Sequence, residues 1–204
     1  KQTLGYTYEN ILDIIAMGFD SKKTHIFSDI EYGKTMYSIA VKIAKHMGII
    51  LKTESQIDTI RRSSQAATET LQRMGEAVKP GVTTAELDLI ARMMIKKHQG
   101  ISSFLGYRPT NHPAFPATIC TAINDEVVHG IPSKSRRLHE GDIIGLDFAM
   151  VLDGYHGDTA FTFPVGPISS EAQRLLEVTK ASVFKAIDAA KPGNRLGDIG
   201  HAVQ

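Results

Sequence analysis

The texture of this chain changes twice along its length, and those changes limit its fold more than any other feature. From Ile101 to Phe163, β-branched and aromatic residues alternate with polar ones, and Pro109, Pro113, Pro116, Pro132, Gly141 and Gly154 punctuate the run. A period of two broken by turn formers specifies strands joined by turns. Helical signals flank this block. Thr53-Glu54-Ser55-Gln56 is a capping box: the Thr oxygen accepts the third helical N–H and the Gln side chain bonds back to the cap. A long helix is expected from about Glu54 to about Val78, stopped by Lys79-Pro80-Gly81. Thr83-Thr84-Ala85-Glu86 repeats the logic before an amphipathic helix ending near His98-Gln99-Gly100, and two antiparallel helices are the simplest arrangement. After the strands, Ser170-Glu171-Ala172-Gln173 caps a helix whose apolar residues Leu175, Leu176, Val178, Val183, Phe184 and Ile187 run towards Ala190. Lys191-Pro192-Gly193 ends it, and a further helix opens after Asn194-Arg195-Leu196-Gly197-Asp198.

The front of the chain reads as helix, strand, helix: Tyr6 to Met17, then Thr24 to Ser28, then Thr35 to His46. Met47-Gly48 followed by Ile, Ile and Leu has the look of a start placed inside a chain. Two segments are therefore expected, residues 1–46 and 47–204.

Composition excludes several classes of function. Lys plus Arg number 23 against 22 Asp plus Glu, a net charge of +1, so no charge excess argues for nucleic acid or an anionic membrane. Hydrophobic residues make up 42% of the chain, which is enough for a packed core. No apolar run approaches the length of a membrane span, and no signal-peptide pattern opens the chain, so a soluble cytoplasmic protein is expected. The single cysteine, Cys120, forbids an intramolecular disulfide and reads as a small buried residue or, alternatively, a reactive thiol.

The chemistry concentrates around one turn. Asp147 and Asp158 are 158 − 147 = 11 residues apart, on either side of Gly154. A hairpin turning at Gly154 would bring residues equidistant from it into register, so the two carboxylates are expected to face each other. Adjacent buried carboxylates repel unless a proton or a cation lies between them. On spacing alone the pair reads as strand-end and turn residues; a metal site gains weight only together with His129 and the family resemblance given below. That histidine lies in Glu126-Val127-Val128-His129-Gly130-Ile131-Pro132, where a strand is expected to meet a turn, and there it could donate to a substrate carbonyl or a developing anion. His156 shares the face of Asp158 but is not expected to be a ligand. Neither a G-x-x-x-x-G-K-[ST] nor a G-x-G-x-x-G signature is present, and neither is a G-x-S-x-G elbow. Nucleotide binding and serine-type covalent catalysis are thus without candidates.

Asn124 to Pro132, Glu140 to Asp147 and Asp153 to Ala160 together resemble type I methionine aminopeptidases, a likeness covering roughly Gly48 to Gln204 and including Val78-Lys79-Pro80-Gly81-Val82. The resemblance implies an α+β fold, the first half of a pita-bread architecture. It further implies removal of the initiator methionine of nascent chains, using two divalent ions (Mn, Fe, Co or Zn) and a bridging water. By position, Asp147 and Asp158 match two metal-ligand carboxylates, and His129 matches the histidine that assists at the scissile amide. Tyr107, Phe115 and Cys120 fall where the family lines its methionine pocket, with Arg108 to His112 as a short insertion. The family's other ligands, one His and two Glu, come from its second half, so weak or no metal binding and poor peptidase activity are expected of this chain.

Residues 1–46 resemble an internal piece of archaeal or eukaryotic-type tryptophanyl-tRNA synthetases, on Tyr6 to Asn10, Asp13 to Asp20 and Lys23 to Asp29. They contain no ATP-binding signature of that class. The alternative to a peptidase is accordingly a non-catalytic chimera, natural or made in the laboratory. A half-fold would leave a sheet edge unpaired, which the first segment would cover or a homo-oligomer would pair.

Overall fold

The computed structural model describes residues 52–108 and 112–204. The expected elements at Tyr6 to Met17, Thr24 to Ser28 and Thr35 to His46 lie outside the described residues, as do residues 109–111 of the insertion.

Helix α1 (Glu54–Glu76) starts at the capping box, with Gln56 N–H donating to Thr53 Oγ1 at 3.3 Å and Thr53 N–H to Gln56 Oε1 at 2.8 Å. Its buried residues, Ser63, Ala66, Ala67, Thr70, Leu71 and Met74, recur every three or four positions and so form one stripe. Most are small, which lets the helix lie close on what it covers. Helix α2 (Thr84–Lys97) is capped in the same manner by Thr83 and Glu86. It runs back along α1, as expected, and its last turn places Lys97 Nζ 2.5 Å from Glu69.

Four antiparallel strands follow: β1 (Ile101–Ser102), β2 (Ile119–Ile123), β3 (Ile143–Leu152) and β4 (Tyr155–Pro164). β3 is central. β4 pairs along its whole length, and β1 and β2 pair with successive parts of it on the other edge. The β3–β4 turn falls at Asp153-Gly154, where both residues have positive φ (50° and 80°), the backbone a two-residue hairpin requires.

Alternation gives the sheet two different faces. Ile144, Leu146, Phe148 and Met150 point to one face and are fully buried in a core shared with α1 and α2. Each such side chain contributes about 1.5–3 kcal/mol by leaving water. The helix approaches closely enough that a Cβ at Gly157 would lie 2.3 Å from the Ser63 carbonyl oxygen. Ser63 Oγ in turn donates to the Tyr155 carbonyl at 2.9 Å. The start of β2 is fastened to α2 by the buried Asp88 carboxylate, which accepts Thr118 N–H at 2.7 Å and Thr118 Oγ1–H at 2.6 Å. The other face carries Gly145, Asp147 and Ala149 of β3, with His156, Asp158, Ala160 and Thr162 of β4.

Helices α3 (Ser170–Ala189) and α4 (Leu196–Val203) follow; α3 is capped one residue earlier than expected, by Ser169, whose Oγ accepts Ala172 N–H at 3.1 Å, and α4 opens at Leu196, inside the Asn194 to Asp198 stretch. Neither helix has a buried residue. Leu175, Val178, Phe184 and Ile187 are each more than half exposed.

The strand region is sparser than its composition suggests. Residues 124–142 form loops and turns, with an isolated bridge between Thr83 and Arg137, so His129 sits in a loop and not at a strand end. The reason is local: β2 stops at Ile123 because Asn124 adopts a left-handed φ of 54° and its side chain bonds to Asp142 and to Ile143 N–H. Val127 and Val128, β-formers by type, are consequently left exposed.

Candidate metal centre and cavity

Asp147 and Asp158 come onto the same sheet face but do not stand opposite one another. Asp147 pairs with Ala160, and Asp158 pairs with Ala149, so the carboxylates are diagonal neighbours across two adjacent rows. The expectation of direct facing is corrected here. With Leu152 paired to Tyr155 at the turn, opposite residues sum to 307, and the two aspartates sum to 305. An even offset keeps them on one face, and diagonal neighbours lie roughly 7–8 Å apart at the backbone, a gap suited to a bridging cation rather than to a shared proton.

The electrostatics agree. Burial pushes the Asp147 carboxyl above its ordinary value, and the neighbouring charge of Asp158 pushes in the same direction, while His129 acts against them. A half-buried carboxylate raised by desolvation and a like charge is stabilised by a cation, and a hard oxygen donor pair of this kind fits a divalent metal ion. Among the described residues, no group of three or more His, Cys, Asp or Glu side chains is placed to hold a metal.

Two hollows meet at Asp147. The larger, a cavity of about 570 Å³, is lined by both aspartates, His129, Cys120, Tyr107, Phe115 and several residues that the sequence reading passed over. Phe104 packs edge-on against Phe115, with ring centroids 6.4 Å apart and planes at 86°. Ser103 Oγ lies 3.0 Å from His156 Nδ1. His112 and Ile131 complete the wall. Phe104 was discoverable, because an aromatic three residues before Tyr107 in the same short loop shares its surroundings; Ser103 carries no such signal.

Tyr107 and Phe115 stand together because the loop between them is closed at its base. Gly106 N–H donates to the Phe115 carbonyl and Phe115 N–H to the Tyr107 carbonyl, each at 2.8 Å. Tyr107 remains 63% exposed. Cys120, on β2, is the direct register partner of Asp147. Its thiol is pushed up to about 11 by burial and by the Asp147 charge, away from the lowered values of activated cysteines. A smaller hollow of about 180 Å³ shares Cys120, His129 and Asp147 and adds Val127, Val128, Gly145 and Thr162.

His129 is held in the left-handed region with φ 60°. A non-glycine residue there is strained by about 1–3 kcal/mol and persists only where its surroundings over-determine it. His156 lines the cavity on the same face as Asp158, and its ring is engaged by Ser103.

The chain is similar to the methionine aminopeptidase of Clostridium acetobutylicum, 52% identical over 156 residues, covering 76% of this chain and 60% of that protein. It is 46% identical over 156 residues to methionine aminopeptidase 1 of Bacillus subtilis, with coverages of 76% and 60%. The crystal structure of methionine aminopeptidase from Rickettsia prowazekii matches with a TM-score of 0.72 at 38% identity, over 76% of this chain and 60% of that one. The chain therefore spans about 60% of the length of the relatives it matches, in the α+β pita-bread architecture they share. The description of metallopeptidase family M24 matches residues 58–204, from the first turns of α1 through both carboxylates to α4, and to that family the chain belongs.

Proposed function

We propose that this chain provides the carboxylate-bearing half of an aminopeptidase site that takes peptides beginning with methionine, including nascent chains in the cytoplasm. The observation that carries the reading is the convergence of Asp147, Asp158 and His129 on a cavity walled by Phe104, Tyr107, Phe115 and Cys120. The wall is apolar and includes a thiol that stays neutral, which suits an unbranched thioether side chain. His129, which lines both hollows, would donate to the scissile carbonyl as negative charge develops on its oxygen. Asp147 and Asp158 would hold divalent cations, which when bound supply a water of lowered pKa and polarise the carbonyl.

Two carboxylates alone leave most of a cation's coordination open, so this chain by itself binds metal weakly and turns over slowly. Mn, Fe, Co and Zn are all compatible with such donors. The first 46 residues supply no residue to this reading. The test is metal-dependent release of methionine from a Met-Ala peptide. Release that disappears in Asp158→Ala supports the proposal; no release with any of the four metals sinks it for this chain and leaves the non-catalytic chimera.

A further inference from the structure

We propose that Arg136 is a positioning residue for His129, one guanidinium that ties down the loop on both sides of the histidine. This rests on the reading of His129 as the group that meets the substrate. Upstream of His129, the guanidinium Nη2 donates to the Glu126 carboxylate, which also accepts Ile123 N–H at 2.9 Å. Downstream, Nη1 of the same side chain donates to the Ile131 carbonyl at 3.2 Å. The planar fork of arginine can serve both partners at once, whereas a lysine ammonium, compact and on a flexible stem, has no such fixed geometry.

Between these ties, the Gly130 carbonyl accepts Thr121 N–H from β2 at 2.9 Å. A Cβ on Gly130 would lie 1.9 Å from the Thr121 carbonyl oxygen and 3.2 Å from Arg136 Nη1, so loop, strand and guanidinium are in close contact at this point. The left-handed backbone of His129 is thus enclosed by anchors on both sides, as a strained residue requires. Arg136 side-chain exposure is only 24%, and Arg136 does not line either hollow, so it acts through the loop and not on the substrate.

The test uses the full chain with labelled histidine, followed by NMR together with amide hydrogen exchange. In Arg136→Ala, the His129 resonances should move, and the Thr121 amide should exchange at least ten-fold faster while the β3 amides of Leu146 and Phe148 keep their protection. Arg136→Lys should restore the Thr121 protection only in part. Unchanged His129 resonances and unchanged Thr121 exchange in a folded Arg136→Ala chain overturn the proposal. If Arg136→Ala does not fold, Arg136→Lys decides by the same readouts and the same overturning result. Neither measurement needs turnover, so its failure is distinguishable from a failure to release methionine.

Discussion

Two helical regions of this molecule start with the same grammar and end in different states. α1 and α3 are both capped by a hydroxyl side chain and both carry apolar residues at helical spacing. In α1 that stripe lies against the β3–β4 sheet and six of its residues are buried; in α3 none is. Phe148 beneath α1 is fully buried, while Phe184 of α3 is 57% exposed. Both helices are capped and periodic, but an apolar face stabilises the fold only where a second surface meets it.

That contrast is sharpest in a pair of truncations. Phe148→Ala should destabilise the chain by about 3–5 kcal/mol, and Phe184→Ala by less than about 0.5 kcal/mol, in urea unfolding followed by circular dichroism. Comparable losses at the two positions would break the comparison. Glycines offer a second contrast, of smaller size. Gly157→Ala forces a methyl into the Ser63 backbone and should destabilise by roughly 1–3 kcal/mol. Gly200 in α4 has nothing within 4 Å of an added Cβ, so Gly200→Ala should be neutral or stabilising by up to about 1 kcal/mol.

The two faces of the sheet differ as its helices do: one is sealed by α1, and the other presents carboxylates. Because the folded pKa of Asp147 is raised, the folded chain holds that proton more tightly than the unfolded chain does. Its stabilising contribution is therefore fully present below the ordinary Asp pKa of about 3.9 and is lost as pH rises through the higher folded value. In metal-free buffer, Asp147→Asn should remove this component, so the stability of the variant relative to the parent should rise between acidic and neutral pH. A difference independent of pH would contradict the electrostatic description of the site. The smallest expected effect is chemical: with its thiol pushed up to about 11, Cys120 in the folded chain should be alkylated by iodoacetamide at pH 8 far more slowly than in urea. Equal rates would place the thiol in the open.

Much of the fold was legible because local signals were strong. The capping boxes at Thr53 and Thr83 placed α1 and α2 to within a few residues, and Gly154 marked the hairpin turn. The diagonal offset of Asp147 and Asp158 was not legible, since register depends on which residues close the turn, and Asp153 shares the positive φ with Gly154. The loop state of His129 was hidden for a similar reason. Val127 and Val128 favour a strand, but the side chains of Asn124 and Glu126 bond to the backbone where β2 ends. The cavity residues Ser103 and His156 come together across 53 positions, a contact that no local pattern reports.

Asp147 and Asp158 are proposed as one metal site, held from diagonal positions on the sheet face away from α1. It is tested most directly by titrating the metal-free chain with Co²⁺ or Mn²⁺ and following the heat of binding, alongside Asp147→Asn and Asp158→Asn. Saturable, weak binding is expected, falling at least ten-fold in either single variant while the circular dichroism spectrum is unchanged. Absence of saturable binding in the parent, or binding in either folded variant as tight as the parent's, would contradict it.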